Sequence, residues 1–417
     1  MCGIVGYTGP NPALSKVIEG LRRLEYRGYD SAGVALATKV GAPLTVAKKA
    51  GKLANLEAVL TAEFESARGG IGHTRWATHG GPTDENAHPH LDDDGKLAVI
   101  HNGIIENYIE LRAELEKRGH KYKSETDTES VAHLLSDEMK KSGDLAAAMR
   151  AVCKELRGSF TLLAIHSDHP DRIVGARRNS PLVVGVGNGE NFLASDVSAF
   201  IAHTKKALEL GQDQVVEVTP GAVVVTDLEG KKIDPREYEI TWDSAAAERG
   251  GYAHYMLKEI FEQPKAIADT MLGRFPEQNK VQVKELDGLD LNVDRILILA
   301  CGTAFHAGMI GKYAIEEWAG IPVDVELASE FRYRKPVLSK KTLVITISQS
   351  GETMDTLMAL RHAKSLGASI LSICNTIGST IPRESDAVLY THAGPEIAVA
   401  STKALLTQII EIGRAHV

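Results

Sequence analysis

The sequence lacks the features of a membrane protein or a nucleic-acid-binding protein. No apolar run reaches the roughly 20 residues that cross a bilayer, and the opening MCGIVGY has neither the basic segment nor the apolar length of an export signal. Acidic residues (55) outnumber lysine and arginine (47), so the net charge of -8 argues against nucleic acid or an anionic membrane as the main partner. We therefore predict a cytoplasmic protein with neither kind of partner.

Cysteine is also scarce. The four cysteines form no C-x-x-C pair, which disfavours a zinc site or a redox dithiol, and we predict no metal and no organic cofactor. Cys2 is distinctive because it follows Met1 directly. Removal of Met1 would leave a thiol and an α-amine on one residue, and an amine with a pKa of about 7.7–8 can activate a neighbouring nucleophile. Position alone is weak evidence, because a cysteine in second place usually has no function.

The hydrophobic pattern divides the 417 residues into two parts. Residues 1–240 contain many short strands with helices at 11–23, 105–118 and 128–141, which indicates an α+β layered domain. Residues 241–256 are small, polar and glycine-interrupted, as is typical of a linker. The second domain, 257–417, opens with a helix near 257–272, and from about Arg295 strands and helices alternate, which predicts a doubly wound parallel α/β unit.

A series of sequence blocks runs in order through the first domain: MCGIVGY, RRLEYRGYDSAG (22–33), GHTRWATHG (72–80), NAHPH (86–90), IHNGIIEN (100–107) and SETDTE (124–129). Together they resemble the class II glutamine amidotransferases, an N-terminal-nucleophile family, and among these most closely the glutamine–fructose-6-phosphate aminotransferases. The resemblance implies an αββα sandwich with Cys2 as the nucleophile.

The resemblance also assigns chemical roles to individual residues. Arg75 grips the α-carboxylate of glutamine with its planar fork, and Asp127 binds the α-ammonium. Asn102, through its side-chain amide, and Gly103, through its backbone N–H, stabilise the oxyanion. Further residues implied around the glutamine are Trp76, which is also a candidate gate on the ammonia path, Thr78 and His79, with Arg27 in support.

Each of these residues has a plainer interpretation when taken alone. Arg75 resembles an ordinary solvated arginine, Asp127 or Thr126 a helix cap, and Asn102-Gly103 a hairpin turn. A metal site built from His73, His79, His88 and His90 is disfavoured, because no carboxylate or cysteine completes the ligand set at ordinary spacing. The joint presence of the blocks carries the assignment.

The second domain contains a strand, a Ser/Thr/Gly loop and a helix in LVITISQSGETMDTLMAL (343–360). Such a loop suits a phosphate, although a serine-rich helix cap without ligand is an alternative. The loop matches neither the Walker A pattern nor G-x-G-x-x-G. With ILACGTAFHAG (298–308), ASEFRYR (328–334) and VASTKA (399–404), it resembles the sugar isomerase domain of the same family. The resemblance places these residues at the sugar phosphate: Thr303, Ser348, Gln349, Ser350, Thr353, Val399 and Ser401.

The resemblance implies hydrolysis of glutamine and transfer of its ammonia to fructose 6-phosphate, giving glucosamine 6-phosphate, in a homodimer. Two departures qualify this expectation. Ala304 stands where the family usually has serine, and we expect only the first half of the isomerase domain within 257–417. Alternatives are another class II amidotransferase, a glutaminase alone, or a sugar-phosphate-binding regulator with an inactive first domain. Lys403 could form a Schiff base by its chemistry, but we interpret it as structural.

Overall fold

The protein is described here from a computed structural model, which covers residues 2–240, 249–274 and 283–414. The chain divides into two compact units, Met1–Ser244 and Ala245–Val417. Residues 241–248 of the predicted linker lie outside the described residues, and the first helix of the second unit begins at Tyr255, within the segment predicted as linker.

The first unit contains five helices and fifteen strands among its described residues. In chain order they are β1 (Gly3–Thr8), α1 (Ala13–Leu24), β2 (Ser31–Leu36), β3 (Thr45–Ala50), α2 (Leu53–Glu57), β4 (Gly69–Arg75), β5 (His90–Leu91), β6 (Leu97–Ile105), α3 (Tyr108–Lys117), α4 (Thr128–Ser142), α5 (Leu145–Glu155), β7 (Gly158–His166), β8 (Ile173–Arg178), β9 (Val183–Val186), β10 (Asn191–Ala194), β11 (Lys206–Glu209), β12 (Gln214–Thr219), β13 (Ala222–Thr226), β14 (Lys232–Ile233) and β15 (Glu237–Glu239).

Two antiparallel sheets form the centre of this unit. One has the strand order β15-β11-β9-β10-β1-β4-β2-β3 and the other β14-β13-β12-β8-β7-β6-β5. Side chains alternate across β1, so Val5 packs with Val17 of α1 in one apolar cluster, whereas Ile4 packs with Ile100 of β6 in the cluster between the sheets. A third cluster lies between the second sheet and α3, α4 and α5. The layers are therefore helix, sheet, sheet and helix, as the resemblance implied.

Two features differ from the sequence prediction. The predicted helix 105–118 is shorter, because β6 continues to Ile105 and α3 begins at Tyr108. Helix α5 was not predicted, although Asp144 accepts a hydrogen bond from the backbone N–H of Ala147 at 2.7 Å and so caps its first turn. Predicted and observed bounds agree closely for α4, which was predicted over 128–141 and spans Thr128–Ser142.

The second unit alternates strands and helices. Its elements are α6 (Tyr255–Met271), β16 (Arg295–Ala300), α7 (Thr303–Ala319), β17 (Val323–Leu327), α8 (Ala328–Phe331), β18 (Thr342–Ser348), α9 (Met354–Ser365), β19 (Ser369–Cys374), α10 (Thr380–Glu384), β20 (Ala387–Tyr390) and α11 (Lys403–Arg414).

All five strands of this sheet are parallel, in the order β17-β16-β18-β19-β20. One face packs against α7 and α11, and the opposite face against α8, α9 and α10. The first two strands in sequence lie on one side and the later ones on the other, so the strand order reverses between β16 and β18. In open α/β sheets, ligands bind outside the carboxyl ends of the strands at such a switch point.

Among the described residues, no helix combines the length and the apolar character that a membrane span requires.

Candidate active site

The thiol of Cys2 lies at the amino-terminal end of β1, next to the end of β4. The antiparallel register pairs Gly3 with Thr74, which carries Cys2 towards Trp76. The backbone N–H of Trp76 donates a hydrogen bond to Cys2 Sγ at 3.2 Å. Gly3 is required at this crossing, because a Cβ would lie 2.5 Å from Thr74 Oγ1. The pairing of the strands therefore places the thiol, which is partly exposed, where these two inner strands end.

Burial raises the pKa of the Cys2 thiol above its usual value of 9.0. The N–H of Trp76 and the positive charges of the amino terminus and Arg75 oppose this shift. Since burial is the largest cause, the resting group is the thiol, and nucleophilic attack requires a proton acceptor.

Asn102 connects Cys2 to a buried histidine. Its side-chain amide Nδ2 donates to the carbonyl oxygen of Cys2 at 2.9 Å, and its Oδ1 lies 2.9 Å from His73 Nε2. Burial lowers the pKa of His73 to about 3, so the ring is neutral and Nε2 is the donor to Oδ1. The Asn102 amide has a second N–H, which this pair of bonds leaves over for a ligand.

Asn102-Gly103 lies inside β6, which overturns the hairpin-turn interpretation. Gly103 has φ 125°, and a Cβ on it would lie 2.0 Å from the carbonyl oxygen of Ser159 on β7. A side chain at this position would therefore be strained and would collide with backbone. Glycine is therefore required because the backbone of β6 approaches the neighbouring strand β7 closely here. Gly103 itself is exposed to solvent.

Arg75 is buried, with 3% of its surface exposed, so it is not the solvated arginine of the plainer interpretation. Its guanidinium donates to the carbonyl oxygens of Gly81 at 3.2 Å and of His79. Burial lowers its pKa, and the neighbouring Cys2 and Asp127 side chains oppose that shift. Arg75 therefore holds the loop after β4 and is electrostatically coupled to both groups.

Asp127 precedes α4 but makes no capping bond through its side chain, contrary to the helix-cap interpretation. Its Oδ2 accepts a hydrogen bond from the backbone N–H of Ile105 at 2.8 Å and lies 3.9 Å from His101 Nδ1. The carboxylate is 4% exposed and connects the end of β6 to the start of α4. It thus lies close in space to the strand that carries Asn102 and Gly103.

The loop after β4 carries the remaining predicted glutamine contacts. Trp76 is 43% exposed and packs edge-on against Tyr29, with ring centroids 5.5 Å apart. Thr78 is exposed, and the ring of His79 packs edge-on against Tyr108 at 5.2 Å. These residues therefore lie on the same loop whose backbone carbonyls Arg75 binds.

Sequence reasoning missed two residues that position this site. His73 orients the Asn102 amide, and Asp30 accepts a hydrogen bond from the backbone N–H of Ala77 at 2.9 Å. Both lie inside the matched blocks, GHTRWATHG and RRLEYRGYDSAG. The sequence therefore marked these positions but did not indicate which partners their side chains take. Arg27 supports the region through an ion pair with Asp196.

Two further histidines of the block 86–90 make hydrogen bonds to hydroxyls. His88 Nε2 lies 2.9 Å from Thr128 Oγ1, and His90 Nε2 lies 3.0 Å from Thr126 Oγ1. Burial lowers the pKa of both rings well below 6.5, so they are neutral. They connect the loop before β5 to the start of α4.

A second candidate site lies at the switch point of the parallel sheet. Ser348 ends β18, and its Oγ accepts a hydrogen bond from the backbone N–H of Gly351 at 3.0 Å and lies 3.0 Å from Thr353 Oγ1. Gly351 has φ 65°, and a Cβ there would lie 1.9 Å from Ser379 Oγ. Ser350 Oγ accepts from the N–H of Glu352 at 3.2 Å. Gln349 and Ser350 are partly exposed on this loop.

Thr303 is the first residue of α7 and follows β16, the strand paired with β18. The register places Ala300 opposite Ile347, so Thr303 and the loop after Ser348 lie at the same edge of the sheet. Ala304 packs on the apolar core of the unit. The structure therefore brings Thr303 together with the loop predicted to hold phosphate.

Val399 and Ser401 lie on a different loop, between β20 and α11. Glu259 of α6 accepts hydrogen bonds from the backbone N–H groups of Ile397 at 2.6 Å and Ala398 at 3.1 Å. Val399 is 80% exposed, whereas Ser401 Oγ is buried without a hydrogen-bond partner among the described residues. An orphaned hydroxyl of this kind is available to a ligand.

Lys403 is buried, and its Nζ forms an ion pair with Glu262 Oε2 at 2.7 Å. This contact agrees with its interpretation as structural.

Two families match the chain by their sequence profiles. The glutamine amidotransferase domain matches residues 73–202, and the SIS domain matches residues 291–413. A relative from Streptomyces coelicolor, named glutamine–fructose-6-phosphate aminotransferase [isomerizing], is 65% identical over 98% of this chain and 67% of its own length. A relative of the same name from Corynebacterium glutamicum is 57% identical over the same shares.

A solved structure, the C-terminal domain of glucosamine-fructose-6-phosphate aminotransferase from Francisella tularensis, is 43% identical. It covers 40% of this chain and 48% of its own, with a TM-score of 0.39.

Proposed function

The chain belongs to the family of glutamine–fructose-6-phosphate aminotransferases, and on that premise we propose that it hydrolyses glutamine at Cys2 and uses the ammonia to aminate fructose 6-phosphate. The observation that carries the proposal is the hydrogen bond from the Asn102 side-chain amide to the carbonyl oxygen of Cys2, which holds the proposed oxyanion donor on the residue that carries the thiol. Family membership supports the second half of the reaction.

The first step is attack of Cys2 Sγ on the side-chain carbonyl carbon of glutamine. With Met1 removed, the α-amine of Cys2 takes the thiol proton through a water molecule, and this acceptor is needed because burial keeps the thiol protonated. Arg75 binds the α-carboxylate of glutamine, and Asp127 binds its α-ammonium. These two charged groups fix the amide over the thiol.

The oxyanion of the tetrahedral intermediate accepts hydrogen bonds from the second amide N–H of Asn102 and the backbone N–H of Gly103. His73 and the Cys2 carbonyl hold the Asn102 amide in place before the reaction, so its orientation costs little when charge develops. The carbon–nitrogen bond breaks, ammonia leaves with the proton from the amine, and water hydrolyses the thioester to glutamate and free thiol.

The second step takes place at the sheet of the second unit. Backbone N–H groups and hydroxyls at Ser348, Gln349, Ser350 and Thr353 hold the phosphate at the start of α9. Thr303 approaches the sugar, and Val399 and Ser401 line its site. Ammonia adds to the ketone carbon, water is lost, and isomerisation of the imine gives glucosamine 6-phosphate.

The test measures glutamate and glucosamine 6-phosphate together, with and without fructose 6-phosphate. Wild-type protein should make both products. The Cys2→Ala variant should make neither product when glutamine is the nitrogen donor. Cys153→Ala serves as the matched control, because it removes a thiol from the core behind α5 and leaves the site untouched. Folded protein with Met1 removed that yields no glutamate would refute the glutamine step. Glutamate without amino sugar would refute the second step alone.

The phosphate loop has its own test. Ser348→Ala removes the acceptor of the Gly351 N–H, so we expect fructose 6-phosphate binding, measured by calorimetry, to weaken at least tenfold, while glutaminase kcat stays unchanged. Unchanged affinity would locate the phosphate elsewhere. A homodimer and a cytoplasmic location remain predictions, and light scattering on the purified chain tests the first.

A further inference from the structure

Three segments of the first unit bring together an aspartate and two histidines that the reaction does not use. Asp93 lies between β5 and β6, His120 follows α3, and His133 lies on α4. One ligand atom from each residue lies within 4.8 Å of the others. The residues are far apart in sequence and follow no metal-binding spacing, so the sequence analysis did not identify them.

The two distances from Asp93 suit a small cation with modest adjustment. Asp93 Oδ2 lies 2.6 Å from His120 Nδ1 and 3.7 Å from His133 Nδ1. Ligands about 2.1 Å from a tetrahedral zinc ion stand ~3.4 Å apart. The first pair must therefore open, and the second close, by less than ~1 Å. Asp93 is exposed at the edge of the cluster, so its carboxylate has solvent beside it into which it can move.

The outward-facing ring nitrogens have carboxylates beside them. His120 Nε2 lies 3.2 Å from Asp137 Oδ1, and His133 Nε2 lies 3.9 Å from Glu129 Oε1. Histidines that ligate metals almost always donate their other N–H to a carboxylate, a carbonyl or water, which fixes the tautomer. Each imidazole here thus has Nδ1 towards Asp93 and Nε2 towards a second carboxylate.

His133 provides independent evidence for a ligand. Its side chain is 1% exposed, and within the described part of the chain neither ring nitrogen has a hydrogen-bond partner. Buried polar atoms are almost always satisfied, so an orphaned imidazole calls for an explanation. A cation between Asp93 and His120 would satisfy Nδ1 and fix the proton on Nε2, which faces Glu129.

We propose that Asp93, His120 and His133 form a binding site for a divalent transition-metal ion, with Zn²⁺ the ion that fits two imidazoles and one carboxylate. Three protein ligands leave a fourth position for water. The ion joins the loop after β5, the segment after α3 and helix α4, which begins beside Asp127. Binding therefore stabilises the part of the first unit that carries the proposed ammonium ligand.

The experiment titrates chelator-stripped full-length chain with Zn²⁺ in competition with a chromophoric chelator. The host is the Cys2→Ala variant, so that the reactive thiol does not bind the ion. We expect one ion per chain, a higher melting temperature with Zn²⁺, and tetrahedral absorption bands with Co²⁺. Asp93→Asn and His120→Gln should each weaken binding at least tenfold, and Asp93→Asn alters a side chain that is exposed.

The matched control is His254→Gln, which removes an exposed imidazole in the second unit and should bind Zn²⁺ as the host does. Asp137→Asn, which alters the carboxylate beside His120 Nε2 and the ion pair with Arg118 on the surface, should weaken binding by roughly 10–100-fold. Absence of saturable binding in the host would overturn the proposal. So would equal affinity in the host, Asp93→Asn and His120→Gln.

Discussion

Replacement of Asn102 by alanine tests the proposed oxyanion donor. Alanine removes two contacts made in the resting structure, to the Cys2 carbonyl at 2.9 Å and to His73 at 2.9 Å. It also removes the remaining N–H, which is the proposed oxyanion donor. Asn102→Asp is the informative companion, because a carboxylate still accepts from His73 but has no N–H to donate.

The expected magnitudes differ for catalysis and for stability. Loss of one oxyanion donor lowers kcat by about 10²–10³, or about 2.7–4 kcal/mol, with little effect on KM because the charge develops only in the transition state. Each buried group left unpaired costs about 1–3 kcal/mol, so the two lost bonds reduce the free energy of unfolding by ~2–6 kcal/mol. Asn102→Asp should lose at least as much kcat, since its charge opposes the oxyanion.

Steady-state glutamate release measures kcat and KM, and urea unfolding measures stability. Asn191→Ala is the matched control, because Asn191 is also buried and donates to the carbonyl oxygen of Thr219 at 2.7 Å, but lies on β10 away from the thiol. It should lower stability without changing kcat. A loss of less than tenfold in Asn102→Ala, or an equal loss in Asn191→Ala under conditions where both remain folded, would refute the assignment of Asn102 as a donor.

Three other predictions follow from burial and backbone geometry. Burial raises the pKa of Cys2 above 9.0, so at about pH 8 iodoacetamide should react more slowly with Cys2 than with free cysteine. The rate of alkylation should rise about tenfold per pH unit to beyond pH 9, and a plateau below pH 8 would contradict this. Gly351 has φ 65°, and a Cβ there would collide with a neighbouring side chain, whereas Gly367 has φ 86° with open space around it. In urea unfolding, Gly351→Ala should therefore lower the free energy of unfolding of the second unit by more than the roughly 1 kcal/mol expected for Gly367→Ala. Lys403→Met should lower the free energy of unfolding by about 2 kcal/mol in the same assay, and glutaminase kcat should not change. The loss is smaller than the ~3–5 kcal/mol expected when a fully buried ion pair is broken, because Glu262 is 31% exposed.

The sequence alone determined the layered class of the first unit and the parallel sheet of the second. Alternation along a strand and the 3.6-residue period of a helix report which faces are buried, and this information is local. The same blocks placed Cys2, Asn102 and Gly103 in one proposed site. Helix α5 was missed although Asp144 marked its start and its buried residues follow a helical period.

Only the tertiary structure decided which partners the polar groups take. Asp127 could have capped α4, but the register of β6 brings the N–H of Ile105 to its carboxylate. His73 orients Asn102 because β4 and β6 lie in facing sheets, and Asp93 meets His133 because a loop folds over α4. Such pairings depend on strand order and packing between residues distant in the chain, which no local period encodes.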